Sequence, residues 1–197
     1  CHNNLARTID CLEGNSLSQG LYKNTAEFSF RLTVLDDSTD LTPEYFERLS
    51  KETDNIQYLH PEEPFHNVDQ MYNWGLRQTD CPFIAFLTNS SMVEPEWVSY
   101  LLPLIKGDGK IAVVGGKVIK PNGLIESAGV LLFDKDVRNI GLDDPGHRYS
   151  FTYQVDAVGA NVCLFRREAI KEGFDFSYYL PYGGLEDIDY CLSLQEK

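Results

Sequence analysis

Positive charge is scarce in this chain. Lys and Arg number 17 against 30 Asp and Glu, a net charge of −13. Nucleic-acid and anionic-membrane surfaces are normally basic, so this balance excludes nucleic acid as a partner. Long apolar runs are absent too: none approaches the ~20 residues needed to span a bilayer. The five cysteines, Cys1, Cys11, Cys81, Cys163 and Cys191, contain no CxxC pair. Their odd number and wide spacing speak against a disulfide framework or a zinc site. Several sit in apolar contexts and read as small core residues, and a reducing compartment is expected. There is no GxGxxG, so a Rossmann dinucleotide site is unsupported. His2, His60, His66 and His147 show no metal-ligand spacing; His66 and His147 lie in loops and are the two to watch. No signal-peptide pattern opens the chain. It starts at Cys1 without Met and stops inside a helix-like run, LSLQEK, so it is expected to be part of a longer polypeptide.

What is present is ordinary for a globular protein: 43% apolar and 12% aromatic residues in a length of 197. That length suits one domain with a real core. Periodicity predicts alternating elements. Helices are expected at 4–13, at 42–52 with Thr42 as N-cap and Pro43 first, at 68–79, at 95–105 and at 185–195. Strands are expected at 30–36, 56–60, 83–87, 111–119, 124–133 and 155–167. The polar, turn-rich stretch 134–154 reads as a mobile loop over a site. The β-α-β-α-β start implies an α/β fold with a mostly parallel sheet, and the later strands a mixed second half.

Three places carry candidate chemistry. In VLDDSTDLT, Asp36, Asp37 and Asp40 stand where a strand ends and a helix begins. Carboxylates there accept hydrogen bonds from a base or ribose, or serve only as turn and cap groups. In YGGLEDIDYCL, Glu186, Asp187 and Asp189 open a helix. They are a general base and its neighbours, or acids favoured by the helix dipole. If Leu185, Ile188 and Leu192 form the buried face, Asp187 lies off it, free to meet a ligand. The third place is AFLTNSSMVEPEW, where an apolar strand stops at Thr88-Asn89-Ser90-Ser91 with no acid at the tip. Gly75 reads as a close-packing position, and Gly115-Gly116 as a bulge or tight turn.

The order of these pieces resembles the family 2 glycosyltransferases, inverting nucleotide-sugar enzymes of GT-A fold. HNNLARTIDCL, VLDDSTDLT, NWGLRQTDCPFIAFLTNSSMVEPEWV, AVVGGKVIKPNGLIESAGVLLF, VDAVGANVCLFRREAI, EGFDFSYY and GLEDIDYCL follow the family's order from end to end. The resemblance implies a GT-A, Rossmann-like sandwich as a single domain over residues 1–197. It implies a donor site from Asp36, Asp37, Asn73, Thr88, Asn89 and Ser90, with Gly75 under it, and an acceptor side at Gly159, Ala160 and Asn161. Asp187 becomes the catalytic base and Glu186 its neighbour. The implied ligands are a UDP-, dTDP- or GDP-sugar and a glycan or glycoconjugate acceptor. The implied location is cytoplasmic, free or at the inner membrane face. Two departures stand out. The family's metal-binding DxD falls on Thr88-Asn89-Ser90, with Ser90 at the degenerate metal position, so a Mg²⁺ or Mn²⁺ cofactor is weakened. Arg138, His147, Arg148 or Glu94 are the candidates to compensate. VLDDSTD also lacks the usual glycine. A non-catalytic pseudo-glycosyltransferase, serving as a binding or structural module, is the alternative.

Overall fold

The structure is a computed structural model. It describes the chain except residues 14–27, 135, 160, 161, 171, 175–184, 196 and 197. The chain divides into two compact units, Cys1–Asp80 with Leu87–Tyr100, and Cys81–Phe86 with Leu101–Lys197.

The first unit is built on a parallel strand pair. β1 (Leu32–Leu35) and β2 (Ile56–Leu59) run in register from Leu32↔Ile56 to Leu35↔Leu59. The helix α2 (Thr42–Glu52) connects them, as a parallel crossover requires. Its Phe46 is buried and stacks on Tyr58 of β2, ring centroids 5.9 Å apart. On the free edge of β1 the main chain of Cys1 continues the parallel pattern. Its N–H donates to Leu35 O and its carbonyl accepts Asp37 N. Among the described residues the helix before β1 is α1 (Leu5–Glu13), as periodicity predicted. α3 (Val68–Leu76) is capped by Asn67, whose side chain accepts Gln70 N at 2.8 Å, and buries Tyr72 and Leu76. The start of α2 differs from expectation. Thr42 lies inside the helix, Leu41 precedes it without a side-chain cap bond, and Asp40 Oδ1 accepts Thr42 N at 2.9 Å. A carboxylate two residues upstream meets the orphan N–H groups better than the hydroxyl does.

In the second unit, β9 (Cys163–Arg166) lies between β3 (Phe83–Phe86) and β4 (Val113–Gly115), antiparallel to both. Phe86, Phe165, Phe174 and Tyr190 cluster beside it with edge-to-face contacts, a geometry that aromatic quadrupoles favour. Several expected strands are interrupted. The run 111–119 becomes β4 and β5 (Val118–Ile119), and 124–133 becomes β6 (Ile125–Ser127) and β7 (Val130–Phe133). Gly129, at φ 115°, turns the chain between the last two. Among the described residues of 155–167, β9 is the strand, with Ala157 bridging Val130. The stretch 134–154 is not loose chain. It contains β8 (Asp136–Asn139), paired with β7, a strand with all four residues exposed and therefore no apolar alternation to read. The rest folds back onto its own unit: Ile125 N donates to Asp144 O, Gly146 N to Gly123 O, and Lys117 Nζ to Arg148 O. The helix α4 (Trp97–Gly107) begins two residues past Pro95, and α5 (Glu186–Gln195) ends the described chain. Among the described residues no helix is long and apolar enough to cross a membrane.

Gly75 and Gly115 are two of the close approaches. A Cβ on Gly75 would lie 2.5 Å from Leu35 Cδ1, the movable end of a side chain. A Cβ on Gly115 would lie 2.8 and 2.9 Å from Cγ1 and Cβ of Val158. Valine is stiff at χ1, so the second clash has no easy escape. Gly75→Ala also gains about 1 kcal/mol of helix propensity. Urea denaturation of both variants is therefore expected to find Gly75→Ala near neutral, and Gly115→Ala destabilised by about 1–3 kcal/mol.

Candidate active site

The turn after β1 is built around buried carboxylates. Asp36 is 0% exposed and Asp37 7%. A buried carboxylate is costly unless each oxygen is hydrogen-bonded, and here each is. Asp36 Oδ1 accepts Ser38 N at 3.3 Å and the Ser38 hydroxyl; Oδ2 accepts Tyr58 OH at 3.0 Å. Burial, with the Asp36 charge and hydrogen bond, pushes the Tyr58 phenol well up, so it stays a proton donor. His60 Nδ1 lies 3.3 Å from that phenol and 3.9 Å from Asp36 Oδ2. Asp37 takes Phe65 N at 3.3 Å on one oxygen and lies 2.9 Å from His2 Nδ1 on the other. A carboxylate only accepts, so Nδ1 of His2 carries the proton. Asp40 is a cap: it accepts Thr42 N and Leu5 N, at 2.9 and 3.2 Å.

The tip after β3 belongs to the same unit. Thr88 Oγ1 lies 2.9 Å from Ser90 Oγ and 3.0 Å from Ser91 Oγ. Asn89 Nδ2 donates to Thr8 Oγ1 at 3.0 Å and to Asn3 O at 3.4 Å. The buried Cys11 thiol donates to Ser91 O at 3.1 Å, and burial holds it in the protonated form. The tip thus shows hydroxyls bonded to one another and an amide N–H committed to α1 and its approach. Mg²⁺ and Mn²⁺ want charged oxygen ligands, and these groups do not fit a divalent ion. Among the described residues no cluster of three His, Cys, Asp or Glu could hold one. Glu94 is exposed on the segment beyond the tip. The arginines suggested as substitutes already meet acids of their own region, Arg138 with Asp136 at 2.9 Å and Arg148 with Asp144 at 3.4 Å. Asn73 is half-buried on α3.

In the second unit Asp187 and Gly159 come together: a Cβ on Gly159 would lie 3.5 Å from Asp187 Oδ2. Asp187 Oδ1 accepts Ile188 N at 2.8 Å. The expected phase of this helix needs correction. α5 starts at Glu186, so Leu185 stands outside its periodicity and is 44% exposed. Cys191 is the buried residue, with Ile188 against the same Val130–Ala157 cluster. Asp187, one turn before Cys191, lies on that side of the helix rather than off it. The Cys191 thiol donates to Val158 O at 3.6 Å, and the Cys163 thiol to Gly159 O. Burial raises both thiols, with the nearby Asp187 charge a smaller contribution. Ala160, Asn161 and the Glu186 side chain lie outside the described residues.

Sequence reasoning missed Tyr58, His60, His2, Ser38 and Asn3. Continuing the β1–β2 register past Leu35↔Leu59 sets His60 beside Asp36, but register across 24 residues leaves no local sequence signal.

The sequence model described as Glycosyl transferase family 2 matches residues 4–174. No curated protein matches the chain in sequence. A mannosyltransferase from Pyrobaculum calidifontis, PcManGT, solved with GDP-Man and Mn²⁺, superposes with TM-score 0.66 at 14% identity over 98% of this chain and 49% of its own. Residues 1–349 of TarS from S. aureus superpose at 0.59, 15% identity, 98% and 53%. The same piece in complex with UDP gives 0.55, 17%, 91% and 51%. The chain thus spans about half the length of these proteins. Its fold is the GT-A glycosyltransferase fold.

The capping role of Asp40 has a pH signature. The nearby Thr42 side chain, and then the Thr42 N–H that it accepts, hold its carboxyl below the usual range. A depressed folded-state pKa gives stability that is complete above the unfolded value and lost as pH falls through the folded one. Urea melts of wild type and Asp40→Ala over a pH series are expected to differ most near neutrality and to converge in acid. A constant difference would contradict the cap.

Proposed function

The chain belongs to glycosyl transferase family 2, and from that premise we propose that it transfers a sugar from a UDP-, dTDP- or GDP-sugar to a hydroxyl of a glycan or glycoconjugate, with inversion. The observation that carries this is the buried acid turn at the carboxyl end of a parallel strand pair, where ligands of open α/β sheets bind. The Pyrobaculum enzyme with GDP-Man and the TarS piece with UDP support a nucleotide-sugar donor. In this reading the two units form one domain over residues 1–197, acting on the cytoplasmic side within a longer polypeptide.

The residues divide the work. Asp36, with no exposed surface and both oxygens bonded, holds the base-binding turn. Asp37 and the exposed imidazole of His2 form its outer edge, where base and ribose are held together with Asn73 and the 88–90 tip. Asp187, beside Gly159 on the acceptor side, takes the proton of an acceptor hydroxyl as that oxygen attacks the anomeric carbon. The bond to the nucleoside diphosphate breaks, its electron pair leaves with the diphosphate, and configuration inverts. Glu186 orients the base or touches the acceptor. A divalent ion would have to find its ligands outside the 88–90 tip. A second reading, a pseudo-glycosyltransferase that binds without turnover, draws its support from that carboxylate-free tip.

Asp187→Asn removes a base and not a donor contact. Transfer is expected to fall by about 10²-fold or more, with donor affinity nearly unchanged. Equal loss of both would remove Asp187 from the base role. Ser90→Asp is expected to make donor binding tighter in Mn²⁺, and an unchanged Mn²⁺ response would show that Ser90 is not at the metal position.

A further inference from the structure

The geometry points to Asn3 as a positioning residue that sets the acid turn and the 88–91 tip in register with each other, an inference that rests on the donor-site reading above. Asn3 and Asn4 are consecutive left-handed residues, at φ 51° and 71°, a conformation that asparagine tolerates better than most side chains. Three polar groups of Asn3 each serve a different neighbour. Its N–H donates to Ser38 Oγ at 2.7 Å, and that hydroxyl donates on to Asp36 Oδ1. Its Oδ1 accepts Thr39 N at 2.9 Å. Its carbonyl accepts Asn89 Nδ2 at 3.4 Å. Asn4 then begins α1: its Oδ1 accepts Arg7 N, and its carbonyl accepts Thr8 N and Thr8 Oγ1. Thr8 Oγ1 is also the second acceptor of Asn89 Nδ2.

One turn therefore fastens three pieces that lie far apart in sequence: the turn holding Asp36, the segment after β3, and the start of α1. The first would face the nucleoside and the second the diphosphate. A shift of Asn3 moves both ends of the donor site at once, although its side chain need touch no ligand. Left-handed backbone and side-chain acceptor are separable here. Glycine keeps the backbone and loses the acceptor. Aspartate keeps the acceptor and tolerates the backbone.

The test uses the full-length protein, with Asn3→Gly and Asn3→Asp. Calorimetry would follow uridine, guanosine, UDP and GDP beside thermal melts of each variant. Asn3→Gly is expected to weaken nucleoside and nucleoside diphosphate alike by about tenfold, the scale of one lost hydrogen bond. Asn3→Asp is expected to restore affinity for the uncharged nucleoside. A lower melting temperature in Asn3→Gly with unchanged affinities, or no recovery with aspartate, would reduce Asn3 to a structural role. If the wild type binds none of the four, the donor-site reading falls and Asn3 is judged by NMR. The side-chain amide of Asn89, bonded to an Asn3 carbonyl that both variants keep, should then shift as the turn moves when the Thr39 acceptor is lost in Asn3→Gly and return in Asn3→Asp, and an unmoved resonance would overturn the coupling.

Discussion

A carboxylate with no exposed surface ends β1, and the first unit is arranged to tolerate it. Asp36 is removed from water, where an unpartnered carboxylate would neutralise or unfold its surroundings. Ser38 closes one oxygen and Tyr58 the other. Each of these draws in a further group: Asn3 onto Ser38, His60 onto Tyr58, Phe46 onto the Tyr58 ring. The parallel pairing of β1 with β2 is what brings Tyr58 within reach. A structural demand of that size makes the turn rigid, and a rigid turn is what a binding site on a strand end needs.

The second constraint is electrostatic. A chain at −13 that takes a diphosphate must offset its charge. The family pattern expects a metal carboxylate at the tip, and here the position holds Thr88, Asn89 and Ser90, bonded inward and to one another. The substitute arginines are matched by Asp136 and Asp144. Family membership and a tip unsuited to a divalent ion therefore stand together. The Nδ1–H of His2 is already given to Asp37, so it does not offset the diphosphate charge.

Much of the fold was legible because it is periodic. α1, α2 and β1–β3 lie within a few residues of their expected places, and Gly75 packs closely, against Leu35, as read. What failed had no period to show. β8 is exposed on every residue, the long strands break at glycines, and Leu185 lies one residue before the helix it was assigned to. The acid turn was visible as a cluster, and its division into a buried group, an edge group and a cap was not. That division depends on partners such as Asn3 and Tyr58, more than twenty residues away, for which local pattern has no signal. The helix phase expected around Asp187 pointed the wrong way, because Leu185 lies outside the helix and Cys191 is buried in its place.

The most direct measurement is calorimetric titration of the full-length protein with UDP, dTDP and GDP, each in Mn²⁺ and in EDTA. Binding of at least one nucleotide that persists in EDTA is the expected result, because the acid turn is complete without an ion and the tip offers it no carboxylate. Binding that vanishes in EDTA would contradict the assignment of the tip, and no binding of any nucleotide in either condition would contradict the donor site itself.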